Sequence, residues 1–239
     1  MKIVFNSKLE KLKWAIKKFG ISSIFMKPIR MVMSPFIINF KKRGSFIFEG
    51  KELKLFYHRY NLTWSNERAV EIPIARYFIN NSRGRILEIG NVMSHYQKVD
   101  WDILDKFEIG KGVINEDIVA FKPKKKYDLI ISFSTFEHIG YDDSLGNSRN
   151  SYDKIIKAFE NVKRNCLNKN GKIIITVPLR YNPYIDEIIF QNKLEFKKII
   201  FVKRISKNQW AEVGKNSASD SKFNSPSPYG NCIAVCIYS

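Results

Sequence analysis

Between residues 84 and 180 this chain alternates apolar runs of strand length with segments of helical spacing, and that alternation constrains its fold most. Arg85-Ile-Leu-Glu-Ile-Gly90, Trp101-Asp-Ile-Leu-Asp105 and Gly112-Val-Ile-Asn-Glu-Asp117 read as three successive strands. Tyr127-Asp-Leu-Ile-Ile-Ser-Phe133 is a fourth, and Gly171-Lys-Ile-Ile-Ile-Thr-Val177 a fifth that stops at Pro178. Helical spacing runs from Glu67 to about Ile79, over Ser151–Leu167 with Ile155, Ile156, Phe159 and Val162 on one side, and over residues 184–192. Phe196–Val202 and Asn231–Tyr238 add two more strands. Near-continuous apolar strands interleaved with helices predict an α/β fold with a doubly wound, mostly parallel, seven-stranded sheet.

The flanks are different. Residues 45–60 alternate like a short hairpin turning at Glu49-Gly50-Lys51. Near the start, Phe5, Leu9, Leu12, Ile16 and Phe19 recur at spacings of 4, 3, 4 and 3, which predicts a basic amphipathic helix ending at Gly20. Ile21 to Phe40 is apolar, but Pro28 and Pro35 argue against one straight helix there. The polar stretch Lys215–Tyr229 reads as a loop. With 239 residues, 44% of them hydrophobic, the chain suits one domain plus an appendage. We divide it into a basic extension (1–43), a hairpin-and-helix cap (44–83) and a core domain (84–239).

Net charge is +18, and residues 1–43 carry +10 of it, eleven Lys/Arg against Glu10 alone. That imbalance points to an anionic surface or substrate beside the N-terminus, and the segment up to Phe40 suits either a membrane interface or a cap packed on the core domain. No run reaches the roughly 18–20 apolar residues needed to span a bilayer, and the charged start does not read as a signal peptide. Cys166, Cys232 and Cys236 lack metal-ligand spacing and fit a reducing, cytoplasmic setting, with peripheral attachment to the inner membrane surface.

In doubly wound sheets, ligands bind beyond the carboxyl ends of the strands. The first strand offers Glu88, Gly90, Asn91, Ser94 and His95 there; the second Asp105 and Glu108; the third Asp117. The fourth offers Ser134, Thr135, Glu137 and His138, followed by Asp142 and Asp143. Acids at consecutive strand ends suit a ligand with hydroxyls and an amine, such as a nucleoside.

Those residues also carry a resemblance. Leu87-Glu-Ile-Gly90, Asp105, Asp117-Ile118, the run from Tyr127 to Glu137-His138, and Gly171 to Pro178 together resemble a class I S-adenosylmethionine-dependent methyltransferase. The likeness covers about residues 84–180 and implies a Rossmann-like methyltransferase fold. Asn61 to Arg68, with Gly90-Asn-Val-Met-Ser-His-Tyr96, resembles a bacterial and archaeal methyltransferase-like group whose members look like enzymes of surface-glycan synthesis.

The resemblance implies that Gly90 admits the methionine part of S-adenosylmethionine and that Asp105 takes the ribose hydroxyls. It implies that Asp117 takes the adenine amino group while Ile118 packs on the ring. Ser134 joins the cofactor side, and Glu88 either orders the turn or meets the cofactor ammonium through water. Arg68 is a candidate for the cofactor carboxylate or an acidic acceptor, and equally a helix-start residue behind the N-cap Asn66. One departure stands out: the first turn has Gly90 alone, which predicts another loop path with Asn91 at positive φ. His138 is the favoured base, with Glu137, Asp142, Asp143 and His95 as further candidates. No metal site is expected.

The resulting expectation is O-methylation of a small-molecule or lipid-linked glycan hydroxyl near the membrane. Two alternatives stand beside it. One is an RNA methyltransferase using Lys122-Pro-Lys124-Lys125-Lys126, the other a catalytically inactive scaffold.

Overall fold

The computed structural model describes residues 16, 21–40, 43–141 and 150–239. The predicted basic helix at the N-terminus falls outside the described residues, apart from Ile16. Helix α1 covers Ile21–Phe40, and strands β1 (Ser45–Phe48) and β2 (Lys51–Lys54) form an antiparallel hairpin of their own. A 3-10 segment, Tyr60–Ser65, leads into helix α2 (Arg68–Asn80). The core strands follow: β3 (Ile86–Ile89), β4 (Asp102–Leu104), β5 (Val113–Ile114), β6 (Tyr127–Phe133) and β7 (Leu167–Pro178). Helix α3 (Asn150–Asn161) precedes β7 and α4 (Pro183–Phe190) follows it. The chain finishes through β8 (Lys198–Ser206), β9 (Gln209–Val213), α5 (Lys215–Ser219) and β10 (Cys232–Tyr238).

The large sheet has the order β5-β4-β3-β6-β7-β10-β8-β9. Its first five strands are parallel, whereas β10 runs antiparallel to both β7 and β8. The chain leaves β3 outward to β4 and β5, then returns to the other side of β3 as β6. This reversal creates a switch point between β3 and β6, and in doubly wound sheets ligands bind beyond the carboxyl ends of the strands at such a point. The doubly wound, mostly parallel sheet is the α/β architecture that the alternation of strands and helices predicts.

Burial explains why the strands read so apolar. In β6 every residue but Asp128 is buried, because side chains on both faces meet packed layers. One face packs Phe136, Ile155, Phe159 and Ile173 with their neighbours, and the other packs Phe48, Val70, Ile72, Ile74 and Met93. Cys232 and Cys236 lie fully buried in β10 as free thiols, serving as small apolar groups.

Four local expectations are corrected. The sheet has eight strands rather than seven, because β9 pairs with β8 as a hairpin although, of its own five residues, only Trp210 is buried. Its short period-two pattern is diluted by Gln209 and Glu212. Residues 21–40 form one continuous helix despite two prolines. Pro28 and Pro35 are both exposed and seven residues apart, so they share one face where water can solvate the freed carbonyls. The hairpin at residues 45–60 ends at Lys54, and the loop at 215–229 begins with the short helix α5.

Candidate active site

A cavity of about 310 Å³ opens at the carboxyl ends of β3, β4, β5 and β6, at the switch point of the sheet. Its first wall is the turn after β3. Gly90 adopts φ +87°, and its N–H donates to the Leu104 carbonyl at 2.8 Å. A Cβ there would lie 2.2 Å from Thr135 Oγ1, so the turn after β3 and the turn after β6 close on each other only with glycine in place. Asn91 does not take a positive φ, contrary to expectation. Gly90 alone makes the left-handed step, and Asp105 Oδ2 then accepts the Asn91 N–H at 3.0 Å.

Glu88 does not line this cavity. It is fully buried beneath the turn, where Oε1 accepts the N–H groups of Val92 and Met93 at 2.9 and 2.8 Å. Its Oε2 accepts from Trp101 Nε1 at 2.9 Å. Burial raises its carboxyl, and these donors only partly offset the rise. Glu88 therefore occupies the turn-ordering position of its two sequence readings.

Asp105 supplies the second wall. Its Oδ1 accepts the N–H groups of Phe107 and Glu108, both at 2.8 Å. With Asn91 that makes three backbone donors, yet a carboxylate offers about four lone-pair directions, so Asp105 keeps capacity toward the cavity it lines. Glu108 Oε1 accepts from Asn91 Nδ2 at 2.6 Å and sits 3.1 Å from His95 Nε2. Tyr60 stacks on His95 with ring centroids 4.6 Å apart, completing the rim.

Asp117 and Ile118 form the third wall. Asp117 Oδ2 pairs with Lys106 Nζ at 2.9 Å, and Oδ1 accepts the Val119 N–H at 3.0 Å. Partial burial pushes this carboxyl up, but Lys106 and the Val119 N–H outweigh it and hold Asp117 below the usual range. Ile118 contributes an apolar surface beside it.

The fourth wall comes from β6 and α2. Ser134 takes φ +42° and donates its hydroxyl proton to Glu71 Oε1 at 2.6 Å. Arg68 Nη1 reaches Glu71 Oε2 at 2.8 Å and the Phe133 carbonyl at 3.1 Å. Asn66 Oδ1 accepts the Arg68 N–H at 3.1 Å, so the helix-start reading and the cavity reading of this segment hold together. His138 lines the cavity with its Nε2 3.6 Å from Glu137 Oε1 and its ring 4.9 Å from Tyr181.

Glu137 stands behind His138 and not on the cavity wall. It is buried, its Oε2 has no hydrogen-bond partner among the described residues, and burial drives its carboxyl well above the usual range. A carboxyl so placed reaches the cavity only through His138, whose Nε2 lies 3.6 Å from its Oε1. Asp142 and Asp143 lie outside the described residues. Thus the cavity brings together Gly90, Asn91, Asp105, Asp117, Ile118, Ser134, Arg68 and His138, and leaves Glu88 and Glu137 beneath it.

Sequence reasoning placed Glu108 at a strand end without a partner and passed over the roles of Glu71 and Lys106. Glu71 left the clearest signal, a lone charge inside Ala69-Val-Glu-Ile-Pro-Ile74, which is otherwise apolar. The exposed Lys122–Lys126 cluster sits before β6, whereas the cavity lies beyond its far end. A strand that long separates them by about 20 Å.

No family model matches the chain, and neither does any curated protein. Among solved structures, the chain is similar to the N-methyltransferase NodS from Bradyrhizobium japonicum WM9 in complex with S-adenosyl-L-homocysteine. That match has 11% identity and a TM-score of 0.46, covering 72% of this chain and 86% of that one. It is also similar to a TehB-like SAM-dependent methyltransferase from Corynebacterium glutamicum ATCC 13032, at 13% identity over 69% of this chain and 85% of that one, TM-score 0.38. An rRNA methylase from Escherichia coli matches at 13% identity over 72% of this chain and 65% of that one, TM-score 0.40.

Proposed function

We propose that this protein is an S-adenosylmethionine-dependent methyltransferase acting on the hydroxyl of a small-molecule or glycan acceptor near a membrane surface. The observation that carries the reading is the switch-point cavity, whose second and third walls suit an adenosine in the order the strands present them. Asp105 retains acceptor capacity for ribose hydroxyls, Asp117 accepts from an exocyclic amine, and Ile118 gives a ring an apolar face. The close approach at Gly90 leaves the cradle open, since a side chain there would displace Thr135. When bound, the cofactor supplies a sulfonium methyl for in-line displacement. His138, on the same wall, takes the acceptor's proton as general base.

Calorimetric titration tests this. S-adenosylmethionine and its demethylated product are expected to bind with micromolar Kd. Asp105→Ala should abolish binding while the variant still melts cooperatively. Absence of binding to folded parent protein overturns the reading.

Helix α1 supports the membrane part. Met26, Ile29, Met33, Phe36 and Phe40 are all exposed and recur at spacings of 3, 4, 3 and 4, a continuous apolar stripe. Another face of α1 is fixed to the domain, with Ser34 fully buried and accepting from Trp64 Nε1 at 3.2 Å. Lys41, Lys42 and Arg43 follow immediately, suiting anionic headgroups. Among the described residues no helix is long and apolar enough to cross a membrane. Ile29→Glu/Met33→Glu/Phe36→Glu is expected to cut flotation with phosphatidylglycerol vesicles by more than about tenfold. Equal flotation of parent and variant would remove the membrane from the proposal.

A further inference from the structure

The geometry points to Glu71 as a positioning residue that orients Arg68 and Ser134 to grip a zwitterionic amino-acid headgroup, the methionine end of the cofactor. The inference rests on the S-adenosylmethionine reading above. Glu71 is fully buried and does not itself reach the cavity, but both side chains it holds at the wall do. Those two residues come from different elements, α2 and the turn after β6, and meet on the two oxygens of one carboxylate. Thr176, from β7, donates to the same Oε1 at 2.5 Å, so three elements converge on this group.

The protons decide what the cavity sees. A serine hydroxyl has a single proton, and Ser134 gives its proton to Glu71, so toward the cavity Ser134 Oγ offers lone pairs only. Both N–H groups of Arg68 Nη1 are used, on Glu71 and on the Phe133 carbonyl. Nε and Nη2 keep three donors without partners among the described residues. The wall therefore presents a cation with unused donors beside an acceptor-only oxygen. The complement of that pair is a carboxylate with an adjacent ammonium. Ser134 also holds a left-handed backbone, φ +42°, uncommon for a residue with a Cβ. Its N–H to the Thr176 carbonyl, 3.0 Å, and its hydroxyl to Glu71 keep it there.

Glu71→Gln keeps the volume but brings an NH₂ donor into the carboxylate's place. Arg68 loses its counter-charge, and the Ser134 proton is freed toward the cavity. The test compares S-adenosylhomocysteine with 5′-methylthioadenosine, which has the nucleoside and no amino-acid headgroup, by calorimetry on the full chain. We expect parent protein to prefer S-adenosylhomocysteine, and Glu71→Gln to weaken it about 10- to 100-fold. Methylthioadenosine binding should change by less than about twofold, since the nucleoside walls do not touch Glu71. Ser134→Ala, a smaller change, should weaken only S-adenosylhomocysteine and keeps the test decisive if Glu71→Gln does not fold.

Equal losses for both ligands would make Glu71 merely structural and overturn the inference, as would a parent protein that does not distinguish the two. Binding of free L-methionine to protein already saturated with S-adenosylhomocysteine would assign the pair to an amino-acid acceptor, again overturning it. A folded parent that binds neither nucleoside ligand brings down the methyltransferase reading itself, an outcome distinct from the others.

Discussion

Gly90→Ala is expected to lower the melting temperature by about 5–10 °C and to weaken cofactor binding about a hundredfold. Two costs combine. At φ +87° a Cβ carries the penalty of the left-handed region. The same Cβ would stand 2.2 Å from Thr135 Oγ1 and 2.9 Å from its Cγ2, well inside van der Waals contact. Threonine is stiff at χ1, and its hydroxyl donates to the Phe133 carbonyl at 3.2 Å, so it does not simply swing aside. Together we place the loss at about 2–4 kcal/mol. Either the turn after β3 or the turn after β6 must move, and each forms a cavity wall. Adding Thr135→Ala separates the two costs, because it removes the closest atoms and leaves the backbone strain. Partial recovery of melting temperature is expected in the double variant. A Gly90→Ala protein that melts and binds like the parent would show that the crowding at this turn is not what shapes the cavity.

That turn also marks where the sequence stops being legible. The parallel strands announce themselves because burial on both faces forces unbroken apolar runs, as in Tyr127–Phe133 and Cys232–Tyr238. Strand ends could be read for ligand groups because the topology puts them at one edge, and Asp105, Asp117, Ser134 and His138 do line one cavity. What could not be read was long-range pairing. Glu71 sits in the first turn of α2, where a charge needs no distant partner, yet it is a buried hub joining β6, β7 and α2, residues up to 105 positions away. The departure at Asn91 failed for a similar reason. The loop path there is set by Asp105, fourteen residues on, and not by the local preference of Asn for left-handed backbone. Strand β9 escaped because an edge strand largely open to solvent needs only one large buried side chain of its own, Trp210.

The buried acids around Arg68 make stability fall as pH rises, and Glu67→Gln should reverse much of that fall. Burial first, and then the charge of Glu71, push the Glu67 carboxyl up to about 7 from an ordinary 4.5. Glu137, buried deeper, is also driven upward, and burial raises Asp186 to about 6. The groups facing Glu67 are Arg68, Glu71, Glu137, Arg204 and Tyr229, and Gly230 donates its N–H to Glu67 Oε2 at 2.9 Å. For each raised acid the native state binds more protons than the unfolded chain between the two values. The slope of unfolding free energy against pH is therefore negative there, and stability present near pH 4.5 is lost as pH rises through about 7. Asp117 and Asp128 are shifted the other way, and their contribution is lost only as pH falls below the ordinary aspartate value, outside this window. Ionising Glu67 inside the fold costs on the order of 3 kcal/mol, equivalent to roughly 5–10 °C for a chain of this size. Glutamine keeps an acceptor for the Gly230 N–H and carries no charge. Variant and parent should then melt within about 2 °C of each other at pH 5 and diverge by pH 8, with the variant higher. Taking the difference between the two proteins at each pH cancels the self-repulsion of the +18 chain, which acts on both alike. A difference that stays constant from pH 5 to pH 8, or a parent that outlasts the variant at pH 8, would mean that Glu67 ionises freely in the native state and that Arg68 neutralises two carboxylates rather than one.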